Sequence, residues 1–176
     1  MIARRIAAIA LLGTALAACQ TQRPAPTRPV PPKGVTRPAA GIPNARAYVA
    51  RATSLDRFMI AAGRAAATRG RSPAVRAHGE RLAQAFEGTS AQLSLAGRRI
   101  NLLPDGQLVS GDATRLARIE GGDIDALYKV EVSRMLSFAQ RYHQAYADRG
   151  DSATLRPVAR FSAGVSADQL AAIGAL

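Results

Sequence analysis

Apolar positions recur at helical spacing over most of the chain beyond residue 45. Tyr48, Ala52, Leu55, Met59, Ala62 and Ala66 follow a 4-3-4-3-4 spacing, which lines one face of a helix. Gly70 follows Arg69 as a terminator. Ser72-Pro73 then opens a second helix, with Ser as the cap and Pro in the first turn. Its inner stripe is Val75, Gly79, Leu82, Phe86, Thr89, Leu93 and Ala96. So short a link makes the two helices antiparallel neighbours.

The pattern breaks from about Arg98 to Gly122. Pro104-Asp105-Gly106 between short apolar pairs fits either a small hairpin or an irregular crossover, and Asp112 to Ile119 reads as a short helix. A third long helix carries Ile124, Tyr128, Met135, Phe138, Tyr142 and Ala145 on one face and ends at Gly150. A fourth begins near Thr154, with Pro157 in its first turn, and includes Leu155, Val158, Val165 and Ile173. Ser162 and Gln169 blur that last stripe. Two helical hairpins joined by a long connector predict an all-α, ferritin-like four-helix bundle over residues 45–176.

The chain ahead of the bundle has a different character. Arg4-Arg5 precede an apolar run from Ile6 to Ala18, thirteen residues where a membrane span needs about 20. A basic start, a short apolar middle and a small-residue exit make residues 1–18 a secretory signal peptide. Leu16-Ala17-Ala18-Cys19 resembles the lipobox of bacterial lipoprotein precursors. That resemblance implies cleavage before Cys19 and acyl chains on its thiol and amino group. Two or more chains anchor a protein stably, at about 0.8 kcal/mol per buried CH₂. Cys19 is the single cysteine, so the folded part has no disulfide and no thiolate ligand. Gln20, where Asp would suggest inner-membrane retention, leans toward the outer membrane facing the periplasm, with the inner membrane as the other address.

Residues 19–44 then form a linker. It holds Pro24, Pro26, Pro29, Pro31, Pro32, Pro38 and Pro43, and its charges Arg23, Arg28, Lys33 and Arg37 are all basic. Such a segment is expected to be disordered and extended, reaching ~75 Å at about 3.1 Å per residue. The formal net charge is +12, and residues 45–176 hold 18 basic against 12 acidic residues. Only Lys33 and Lys129 are lysines, a bias that reads as GC-rich coding. Few aromatics, no Trp and the export signal argue against nucleic acid. Anionic envelope polymers or lipid headgroups are the expected electrostatic partners, with a periplasmic protein as the other option.

Short elements in the bundle resemble one bacterial envelope family. They are Ile60-Ala61-Ala62-Gly63-Arg64-Ala65-Ala66, Leu103-Pro104, and Gly122-Asp123-Ile124-Asp125 with Tyr128. The family is domain of unknown function four-one-four-two, often called putative outer-membrane protein, and the resemblance covers residues 45–176. It implies a ferritin-like fold. Members usually carry an acid in the first helix, Asp-His in the second, and a His in each of the third and fourth. The corresponding positions here are Met59, then Phe86-Glu87, then Met135 or Leu136, and Asp168 or Gln169. The histidines of this chain, His78 and His143, occupy none of them.

The chain offers little other chemistry. No Glu-x-x-His or Asp-x-x-His occurs, so a di-iron centre lacks its ligands. No phosphate loop, nucleophile elbow or dinucleotide fingerprint appears. His78 and His143 read as exposed or boundary residues. Glu120, Asp123 and Asp125 read as helix-start acids rather than as a cation site. Glu131 falls on the apolar face and needs a tyrosine hydroxyl or an arginine partner, the less favoured reading being a general base with a raised pKa. Arg57, Arg64 and Arg71 recur every seven residues on the outer face of the first helix and could touch an anionic surface. The expected function is a non-enzymatic, membrane-anchored envelope lipoprotein with no catalytic, cofactor or metal residues. The alternative is a metal-binding or stress-related ferritin-like protein or enzyme with an unrecognised site.

Overall fold

A computed structural model of the protein describes residues 41–176. The leader, most of the linker and Cys19 lie outside the described residues. Helix α1 spans Ala45–Arg69 and starts under Asn44, whose side chain accepts from the Ala47 amide at 2.9 Å. It ends at Gly70, whose amide bonds the Ala66 carbonyl. Helix α2, Pro73–Arg99, begins with Pro at its first position. The Ser72 side chain makes no capping bond there. The Asp125 carboxylate instead accepts the Arg71 and Ser72 amides, both at 2.9 Å.

The expected stripes of α1 and α2 are buried throughout. Gly63 and Gly79 mark where the two helices touch. A Cβ on Gly63 would lie 2.6 Å from the Gly79 carbonyl oxygen, and one on Gly79 2.5 Å from that of Gly63. The backbones meet without side chains between them, which only glycine permits. Helix α2 closes on Asn101, at φ 55°, with Leu102 N–H bonding the Gly97 carbonyl at 2.9 Å, a Schellman-type end.

The connector forms no strand among the described residues. It is an irregular crossover followed by helix α3, Ser110–Gly121, two residues longer at each end than its apolar pattern indicates. Helix α4 spans Ile124–Arg149 under an Asp123 cap, and α5 spans Leu155–Gly174. Thr154 gives α5 no side-chain cap; Ser152 Oγ accepts from the Leu155 amide instead. Pro157 sits in the first turn, as expected.

Two apolar clusters fill the bundle, and every long helix passes from one to the other. Helix α1 leaves the cluster of Tyr48 and Ala52 for that of Leu55 and Phe58. Helices α2 and α4 run the opposite way, α2 from Phe86 to Leu93 and α4 from Ala139 to Tyr146. Helix α5 returns from Ala159 to Ile173. The order is therefore up, down, down, up, and the connector must travel the length of the bundle. Helix α1 packs on α2 and α4, and α5 on α4 and α2.

Two expectations need correction. On α4 the buried face runs through Val132, Leu136, Ala139, His143 and Tyr146, while Phe138 is exposed and Tyr142 and Ala145 are half-buried. An apolar-only stripe passes over Glu131 and His143, which are buried because they have partners, and so rotates by about one position. On α5 the interior is Ala159, Ser162, Ala163 and Ser166, with Val158 and Val165 half-buried. Ser166 donates to the Ser162 carbonyl at 2.7 Å and needs no partner from another helix.

Candidate functional site

A polar layer divides the two apolar clusters. Each helix supplies it where it changes cluster: Asp56 from α1, Thr89 from α2, His143 from α4, Ser162 and Ser166 from α5. Thr89 Oγ1 lies 2.8 Å from Asp56 Oδ1 and 2.9 Å from the Phe86 carbonyl oxygen. A hydroxyl has one proton to give. Thr89 Oγ1 therefore shares its proton between Asp56 Oδ1 and the Phe86 carbonyl oxygen. Burial, with Thr89 opposing it, pushes the Asp56 carboxyl up to about 8, so the proton stays at neutral pH.

The Tyr48 hydroxyl meets His143 Nδ1 at 2.9 Å. His143 Nε2 has no hydrogen-bond partner among the described residues, and burial, helped by the Arg51 charge, pulls this imidazole down to about 4. The expectation of an exposed or boundary His143 is therefore corrected. His78 is corrected likewise. It is buried against Tyr128, with its Nδ1 2.7 Å from that hydroxyl, and burial lowers its pKa. The aromatic partner of each histidine sits on a different helix, so no linear pattern reveals the pair. Tyr48 also stacks on Tyr146 at 3.8 Å between centroids, and the Tyr146 hydroxyl donates to Asp151 at 2.8 Å.

Of the positions that the resemblance sets against the family's polar residues, the apolar ones lie together. Met59, Phe86, Met135 and Leu136 belong to one buried cluster. Glu87 is exposed and paired with Arg64 at 2.6 Å, Asp168 is exposed and Gln169 half-buried. Thioether and hydrocarbon in place of carboxylate and imidazole do not fit a di-iron or zinc centre. Among the described residues no group of three or more His, Cys, Asp or Glu is placed to hold a metal. Asp123 and Asp125 serve as caps, and Asp123 pairs with Arg71.

The charged surface is organised around two buried carboxylates. Glu131 Oε1 accepts from Arg118 at 2.9 Å, and Oε2 from Arg115 at 3.2 Å, with Arg134 at 3.6 Å. The expected arginine partner is thus three arginines, two of them from α3. Asp112, buried at the start of α3, takes both terminal nitrogens of Arg51 and the Ser54 hydroxyl. The two clusters fasten α3 to α1 and α4. Beside them runs a groove of about 480 Å³ lined by Arg51, Arg115, Arg134, Arg141, Val109 and Phe138, among others. The Arg51 guanidinium lies over the Phe138 ring at 5.0 Å.

Arg57 and Arg64 are exposed on α1 as expected, but Arg71, also exposed, lies beyond the helix end at Arg69, so the three do not form one stripe of that helix. Arg64 and Arg71 each have an acid partner, while Arg57 and Arg64 line a second groove of about 740 Å³ with Arg69 and Glu120. The α3–α4 groove was missed because its arginines come from three helices. No described helix is long and apolar enough to cross a membrane. No curated protein and no solved structure matches the chain. The profile of one family, described as Domain of unknown function (DUF4142), matches residues 30–176, and the chain belongs to that family.

Proposed function

We propose that the protein is a non-enzymatic envelope lipoprotein, held to a membrane by acyl chains on Cys19, whose helical bundle binds or supports an anionic envelope surface. The outer membrane, with the bundle in the periplasm, is the proposed address. The observation that carries the binding role is the contrast between interior and exterior. Met59, Phe86, Met135 and Leu136 form part of one buried apolar cluster, while the arginines gather on the surface around Glu131 and Asp112. Clustered guanidiniums attract phosphate and carboxylate.

Anchoring is tested by expressing the chain with Cys19 and with Cys19→Ser and following it by membrane fractionation and intact mass. The Cys19 protein should sediment with membranes and carry acyl mass on a chain starting at residue 19. The Cys19→Ser protein should lose both the acyl mass and the cleavage. Equal acyl-free mass for the two would overturn the anchor.

A further inference from the structure

We infer that the groove between α1, α3 and α4 is a binding site for the phosphodiester headgroup of a membrane lipid. This rests on the anchored reading above and gives the anionic surface a chemical identity.

Two of the lining arginines are fixed before any ligand arrives. Arg51 is held on Asp112 and Arg115 on Glu131, and both acids are buried behind their partners. A guanidinium carries five N–H donors, so each retains donors for the groove. Arg134 stands 3.6 Å from Glu131, beyond hydrogen-bond reach, and Arg141 has no acid partner among the described residues. Counting Arg118, five arginines meet two carboxylates here, leaving a surplus of three positive charges. Asp112 also lines the groove but is taken up by Arg51 and Ser54, while Arg134 and Arg141 are exposed at its open side.

The same surface exposes apolar side chains. Phe138 is 37% exposed, Val109 44% and Val130 54%. Val130, Arg134, Phe138 and Arg141 are spaced i, i+4, i+8 and i+11, which sets them along one outer face of α4. Exposed aromatic and branched side chains alternating with arginine are suited to a membrane interface, where the head of the lipid is anionic and its glycerol and acyl region is not. A free phosphate would use the guanidiniums and leave Phe138 and Val109 in water. A groove of about 480 Å³ is in the usual range for one small headgroup.

The test uses the chain from residue 19 with Cys19→Ser, so that no acyl chain brings it to the bilayer. Its binding to vesicles of phosphatidylglycerol and of phosphatidylcholine is measured by co-sedimentation. Binding is expected to the anionic vesicles alone. Arg134→Gln with Arg141→Gln should weaken it on the order of tenfold or more, at about one surface arginine's contribution each. Arg156→Gln with Arg160→Gln removes the same charge from exposed positions of α5 and should change it less than about threefold. Phe138→Ala alone, with charge unchanged, should weaken it several-fold; an unaltered melting curve confirms each variant is folded. An α5 pair as damaging as the α4 pair would reduce the effect to net charge and overturn the site. Displacement from vesicles by inorganic phosphate at matched phosphate concentration would make it a free-anion site and overturn the lipid assignment, as would no vesicle binding at all. Acylation of Cys19 in the wild-type chain is read separately by mass, so a failed groove leaves the anchor standing, and the reverse.

Discussion

Glu131 and Asp56 are both carboxylates at 2% exposure, on helices α4 and α1, which pack against each other. They meet burial in opposite ways. Glu131 lies where α3 crosses the bundle edge, within reach of Arg115, Arg118 and Arg134, whose heads remain partly in water. Asp56 lies mid-bundle, where the neighbours are Thr89 and apolar or aromatic side chains, and its carboxyl is pushed up to about 8. A desolvated carboxylate either finds a cation or keeps its proton. Position decides which, since long arginine side chains reach the edge of a bundle and not its middle.

Replacing the carboxyl at the two sites should therefore have effects of opposite sign. Glu131→Ala strands two arginines of α3 and one of α4 with no acid between them. It should lower stability by about 3 kcal/mol, at the modest end for a broken buried pair because the arginines are part-exposed. Urea unfolding would measure this, and faster amide exchange in α3 should accompany it. A loss no larger than that of an exposed pair would erase the distinction between the two carboxylates.

Asp56→Asn is expected to stabilise, with a gain that depends on pH. Between the usual carboxyl value of 3.8 and about 8, folded Asp56 keeps a proton that the unfolded chain releases. The folded state binds more protons there, so this group makes stability fall as pH rises through the window. His143 acts the other way. The unfolded imidazole binds a proton below about 6.5, whereas the folded one stays neutral down to about 4, so its contribution is lost as pH falls from 6.5 to 4. His78 adds in the same direction as His143. Wild-type stability should peak near pH 6.5. Asp56→Asn should flatten the limb from 6.5 to 8, its gain growing from almost nothing near pH 4 to about 5 kcal/mol at pH 8. An unchanged alkaline limb would mean that Asp56 is ionised in the fold.

The same physics explains what the sequence could reveal. The faces of α1 and α2 were legible because their interior is apolar or small over many turns, from Tyr48 to Ala66 and from Val75 to Ala96. The faces of α4 and α5 were harder to read, because Glu131, His143, Ser162 and Ser166 are interior residues that a polarity scale places outside. Glu131 was suspect from its register, whereas Asp56 was not. Asp56 follows Leu55 on a buried arc of α1 wider than one stripe, and its partner Thr89 comes from another helix. The arginine groove had no linear signature, since Arg51, Arg115, Arg134 and Arg141 meet only after the connector lays α3 across the bundle. The glycine contact of Gly63 with Gly79 was visible as residue type but not as purpose.

Whether the bundle is a binding body or a reactive one turns most directly on metal uptake. The purified chain would be incubated with iron(II), manganese(II) and zinc(II), desalted and assayed by elemental analysis. With Met59, Phe86, Met135 and Leu136 together in one apolar cluster, no stoichiometric metal should remain. A metal retained in stoichiometric amount by the wild-type chain would contradict the binding role and restore the ferritin-like reading.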